Sequence, residues 1–129
     1  MKYREISAEE LPDLLESIEG CDADALWLYV CGNGSQTTTM TYEQRKQYFL
    51  SIMHHLMNEG RLKIAYRRQF WEGTIEEQLQ RYSDRWPKDE RMLDSADFQL
   101  TKDSSDGTLY YWAQGGFVWV CDDGFMEWT

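Results

Sequence analysis

The chain has 129 residues, 42% hydrophobic and 15% aromatic, with 23 acidic against 13 basic side chains and a net charge of −10. That length suits one domain with a real core and is short for two, and the aromatic content excludes a disordered acidic chain. The charge disfavours nucleic acid and anionic membrane as partners and favours a cationic one. It is also uneven. From Glu5 to Gln44 there are nine acids and no Lys or Arg, and five more unopposed acids follow Lys102, whereas Arg45 to Lys102 holds 11 of the 13 bases against nine acids.

Ser7 and Glu10 have capping-box spacing, and Leu11, Leu14, Leu15 and Ile18 repeat at helical intervals, which predicts a first helix ending near Gly20 with Pro12 about one turn in. A second short helix is predicted from Asp22 or Asp24, with Leu26, Tyr29 and Val30 on one face, stopping in the turn-rich Gly32-Asn33-Gly34-Ser35. Thr41 and Gln44 form another capping box ahead of the stripe Phe49, Ile52, Met53 and Leu56, and Gly60 supplies a left-handed stop. Leu62 to Tyr66 alternates as a strand. Thr74 and Glu77 cap a fourth helix with Ile75, Leu79, Tyr82 and Trp86 inward, and Pro87 ends it and opens a short helix through Leu93.

Beyond Asp94 the period becomes alternating. Leu109 to Ala113, Phe117 to Cys121 and Phe125 to Trp128 read as three strands joined by hairpin turns at Gln114-Gly115-Gly116 and Asp122-Asp123-Gly124. The middle strand is apolar on both faces and so is expected at the centre of a sheet. The predicted architecture is a single α+β domain over residues 1–129, with amino-terminal helices packed on a carboxyl-terminal antiparallel β-meander.

Candidate chemistry is sparse. His54 and His55 are adjacent on a helix, diverge by roughly 100° and cannot act together on one atom, so one is expected packed and the other solvated. The paired acids Glu9-Glu10 and Glu76-Glu77 suit first turns of helices, and Asp122-Asp123 suits its turn. Cys21, Cys31 and Cys121 form an odd set without CxxC spacing, read as reduced, buried small hydrophobes with no zinc site. Gly32-Asn33-Gly34 lacks the strand before it and the Lys-Ser/Thr after it that a phosphate loop needs. Arg67 and Arg68 with Lys63, Tyr66, Phe70 and Trp71 make one basic and aromatic cluster, whose bases are expected to pair with the acidic helices in place of nucleic acid. No secretory signal and no membrane-length apolar run is visible, which points to the cytoplasm. Neither a cofactor, a metal nor an enzymatic activity is expected.

Phe70-Trp71-Glu72-Gly73-Thr74-Ile75-Glu76-Glu77-Gln78, the Trp86-Pro87-Lys88 break, Gly115-Gly116-Phe117-Val118-Trp119-Val120 and Asp123-Gly124-Phe125-Met126-Glu127-Trp128-Thr129 resemble the bacterial family catalogued as domain of unknown function 596. Asp24-Ala25-Leu26-Trp27 and Tyr42-Glu43-Gln44-Arg45-Lys46 are similar to it too, so the resemblance spans nearly the whole chain. It implies a small α+β cytoplasmic protein without catalytic residues. Because some members are encoded among toxin and immunity genes of contact-dependent inhibition and related polymorphic toxin systems, it also implies an immunity protein that binds a sibling cell's toxin domain.

The acid-only carboxyl-terminal segment is the expected docking surface for a cationic, possible nuclease, toxin domain. Asp103, Asp106, Asp122, Asp123 and Glu127 would supply charge, and Trp112 or Trp128 an aromatic anchor. The alternative reading is a non-enzymatic adaptor that binds a basic protein segment. A small enzyme would require His54 or His55 to face a pocket with a carboxylate in reach.

Overall fold

A computed structural model describes residues 3–32 and 39–129. Helix α1 is Leu11–Ile18, with Leu14 and Ile18 fully buried. Its capping box is half made: Ser7 Oγ accepts from Glu10 N at 3.1 Å, but the Glu10 carboxylate turns to Tyr29 Oη at 3.4 Å. Helix α2, Ala23–Val30, is capped by Asp22, whose side chain accepts from Ala25 N. Beyond it Gly32 has φ 97, and residues 33–35 of the expected turn and phosphate-loop-like stretch lie outside the described residues.

Helix α3, Tyr42–Asn58, carries the reciprocal Thr41–Gln44 box, buries Phe49, Ile52, Met53 and Leu56, and stops at Gly60 with φ 75. Helix α4, Ile75–Arg85, carries the reciprocal Thr74–Glu77 box. The expected helix from Pro87 to Leu93 shrinks to one 3-10 turn, Glu90–Met92, which begins only where the Asp89 side chain accepts from Arg91 N. Pro87 is occupied otherwise. Tyr42 Oη donates to its carbonyl at 2.7 Å and accepts from Trp86 Nε1 at 2.9 Å, and burial pushes that phenol up to about 12. Arg45 then binds Glu90 with both guanidinium ends, at 2.6 and 2.7 Å, tying the segment to α3.

Strands β1 (Leu62–Tyr66), β2 (Gln69–Phe70), β5 (Gly116–Val120) and β6 (Met126–Trp128) form one antiparallel sheet in the order β2-β1-β5-β6. Strands β3 (Leu100–Lys102) and β4 (Leu109–Tyr111) form a separate pair. The α+β class holds, but the three-strand meander does not. Only β5 and β6 form a hairpin of the predicted kind; β4 pairs with β3, and β5 takes β1 as its other neighbour. The reason lies at residues 112–115, which cross between sheets instead of turning back. Trp112 N bonds Gln99 O, Gln99 Nε2 bonds Gly115 O, Gln114 takes φ 48, and Gly115 is wedged against Ile64 and Trp71.

Register assigns the sheet faces. Leu62 lies opposite Trp119 and Ile64 opposite Phe117, and all four join the helices in the main core. That core is strongly aromatic: Phe49 meets Trp86 edge-on at 4.9 Å, Trp27 stacks on Phe98 at 5.5 Å, and Tyr82 and Trp112 complete the group. Lys63, Ala65, Val118 and Trp128 occupy the other face, where Ala65 and Val118 are buried apart from the main core. Cys21 and Cys121 are exposed and Cys31 is half-buried, so the expected buried cysteines are corrected. Cys21 falls in the turn after α1 and Cys121 where β5 leaves the sheet.

Phe49→Ala should cost about 3–5 kcal/mol, since it empties the centre of this core. Gly115→Ala should cost about 1–3 kcal/mol, because its Cβ would lie 2.7 Å from both Ile64 Cγ2 and the Trp71 ring. Urea midpoints at unchanged m measure both, and an unshifted midpoint for Gly115→Ala would remove the wedge at the crossing.

Candidate protein-binding surface

The β5–β6 turn is built by its own backbone. Cys121 N bonds Phe125 O, Gly124 N bonds Cys121 O with Gly124 at φ 87, and Asp123 Oδ1 accepts from Phe125 N at 2.9 Å. Asp123 therefore shapes the turn, whereas Asp122 makes no hydrogen bond or ion pair among the described residues. Glu127 sits on β6 opposite Trp119, on the helix-facing side. There it meets the end of α1: a Cβ on Gly20, at φ 81, would lie 2.9 Å from Glu127 Oε2.

A groove of about 410 Å³ opens between these elements, with Leu15, Trp119 and Val120 as apolar lining and Glu19, Asp122 and Glu127 as its acids. The two acid-only stretches of sequence thus meet in space. Arg61 is the opposing base, and it is shared: its Nε lies 3.1 Å from Glu59 and its Nη1 4.0 Å from Glu19. The crowding registers on Cys121, whose thiol is held above its ordinary value by desolvation and then by Glu127, Asp123, Glu19 and Asp122. Among the described residues, no group of three or more His, Cys, Asp or Glu is arranged to hold a metal ion.

Other predicted surface residues lie elsewhere. Asp103 and Asp106 belong to the β3–β4 loop, where Asp103 accepts from Ser105 N at 2.8 Å and Asp106 from Thr108 N at 2.9 Å. The Ser105 hydroxyl and backbone bonds lower the Asp103 carboxyl, and the Thr108 bonds lower that of Asp106. These acids cap their own hairpin in the smaller sheet and do not line the groove. Trp112 is corrected outright. It is 3% exposed, packed edge-on against Tyr82 and Phe98 with its Nε1 donating to Phe98 O, so it anchors the core and no partner. Trp128 is half exposed but points to the face opposite Glu127, in ring contact with Phe70 at 5.1 Å.

Glu19, Gly20, Arg61 and Leu15 are groove residues that sequence reasoning missed. Sequence periodicity cannot place Glu19 beside Glu127; the only local trace was a glycine stop after an acidic helix end.

The histidines depart from expectation, both being partly exposed. His54 stacks on Tyr3 at 4.0 Å with Nε2 3.2 Å from Glu76 Oε1, and His55 Nε2 is 3.4 Å from Glu59 Oε1, out of line for a hydrogen bond. Neither lines the groove. The expected pairing of Lys63, Arg67 and Arg68 with acidic helices is also absent, since none of the three makes an ion pair among the described residues. Among those residues, no helix is long and apolar enough to cross a membrane.

Residues 57–129, more than half of the chain, match a family model described as protein of unknown function, DUF596. No curated protein matches. Among solved structures, an uncharacterised protein conserved in bacteria, from Neisseria meningitidis, is similar at a TM-score of 0.56 and 19% identity, over 86% of this chain and 91% of that one. At that identity the likeness concerns the fold alone.

If the groove acids set the Cys121 thiol, Asp122→Asn with Glu127→Gln should lower its pKa and speed its alkylation at pH 8 by about twofold to threefold. Peptide mapping after timed iodoacetamide labelling reads this, with Cys21 as internal reference. An unchanged Cys121 rate would show that the carboxylates do not act on the thiol.

Proposed function

The chain belongs to the DUF596 family of bacterial proteins of unknown function, and we propose that it is an immunity protein that binds and neutralises a cationic toxin domain in the cytoplasm. The observation that carries this reading is the groove between α1 and the β5–β6 hairpin, where Glu19, Asp122 and Glu127 line a depression together with the half-buried Leu15 and Val120, beside one shared arginine. Three carboxylates facing one arginine at a concave site focus the field of a −10 chain on one place.

A toxin that acts on nucleic acid must carry a basic surface, and such a surface is drawn to the groove at a rate set by complementary charge. Leu15 and Val120 would then be covered by the partner, so contact energy comes from apolar burial and charge supplies speed and register. Neutralisation by coverage needs no nucleophile, cofactor or metal. The protein on this reading is not an enzyme.

Co-expression with the product of the gene immediately upstream should rescue growth and give a co-purifying complex. Asp122→Lys with Glu127→Lys should slow association with that partner by roughly tenfold at low salt and flatten its salt dependence. Stopped-flow association at two ionic strengths, with circular dichroism to confirm folding, measures it. Unchanged kinetics in a folded variant would discard the groove as the docking surface.

A further inference from the structure

On the face of the large sheet turned away from the helices, the residues form a surface of opposite character. Ala65 and Val118 are buried there, covered by the Phe70–Trp128 ring pair although each of these rings is itself 41% and 50% exposed. Beside the pair, β1 turns into β2 through two residues, Arg67 and Arg68, since Tyr66 pairs with Gln69. Both have positive φ, 51 and 67. Such a turn suits Asn-Gly, and holding two branched-out arginines in it is unfavourable.

Local contacts do not account for these arginines. Arg67 lies over the Tyr66 ring at 5.2 Å and Lys63 over Phe70 at 5.3 Å, but neither they nor Arg68 meets a carboxylate among the described residues. Some other arginines in this acidic chain are paired with carboxylates, as Arg45 is with Glu90 and Arg91 with Asp89. Arg67 and Arg68 instead edge a cavity of about 610 Å³, whose other walls are Ala65, Trp128 and Thr129.

We propose that this face is a second docking site, for an extended acidic segment of a protein partner whose carboxylates bind Arg67 and Arg68 and whose apolar side chains lie on Phe70 and Trp128. Charge complementarity selects the occupant: guanidinium pairs without carboxylates match carboxylates in forked geometry. The cavity is lined by five residues from β1, the turn after it and the end of β6, so side chains of a chain passing along this face can enter it. A nucleic-acid strand fits less well, because it carries a charge at every nucleotide, whereas a peptide can set carboxylates at Arg67 and Arg68 and place only uncharged side chains toward Asp22 and Asp97 of the adjoining cleft. The site is independent of the acidic groove, lying on the opposite face and at the other end of the strands.

The probe is a fluorescein-labelled peptide of alternating glutamate and leucine, titrated into the full chain by anisotropy, with oligo(dT) as the competing probe. Saturable peptide binding is expected, weakened by about tenfold in Arg67→Asn/Arg68→Gly and in Trp128→Ala, and untouched by Asp122→Asn/Glu127→Gln. The Arg67→Asn/Arg68→Gly variant should also melt about 2–6 °C higher, because Asn-Gly relaxes the turn. That rise separates lost binding from lost folding. Equal peptide affinity in wild type and Arg67→Asn/Arg68→Gly would overturn the site, as would tighter binding of oligo(dT) than of peptide. A lowered melting temperature would overturn the argument that the arginines are kept at a cost.

Discussion

The pairing of β5 with β1 is the constraint from which the rest of the structure follows. Ile64 opposite Phe117 and Leu62 opposite Trp119 put four apolar side chains on one face, and α3 closes over them with Phe49 at the centre of the aromatic core. With β1 on one side of β5, only the other side remains for β6, so the last strand becomes a sheet edge and its turn is brought to the end of α1. The charged groove is thus a consequence of an apolar register. Moving that register by one residue would turn either Phe117 and Trp119 out of the core or Lys63 into it.

What sequence can reveal depends on how local the determinant is. Thr41 with Gln44 and Thr74 with Glu77 are caps made within four residues, so those helix starts are readable and correct. Leu62–Tyr66 is readable because its alternation is its own. By contrast β2 is two residues long and β3 three, too short for any period, and without them Leu109–Tyr111 has no visible partner but its neighbour β5. The false meander came from that gap.

The candidate surface was legible in part for the same reason. Asp122 and Glu127 were found because their acid-only segment is contiguous, but the same criterion swept in Asp103 and Asp106, which serve a different hairpin. Trp112 illustrates a further limit. A tryptophan beside a short strand reads the same whether its indole N–H meets water or the carbonyl of Phe98, and only the tertiary partner decides.

The closeness of Gly20 to Glu127 joins the first helix of the chain to its last strand. Both are short, eight and three residues, so each is held by few backbone hydrogen bonds of its own. A ligand seated across Glu19 and Glu127 would bridge α1 and β6. Occupancy would then act as a clasp, suppressing the local openings through which a small protein is first attacked by proteases and lengthening its survival in the complex beyond that of the free chain.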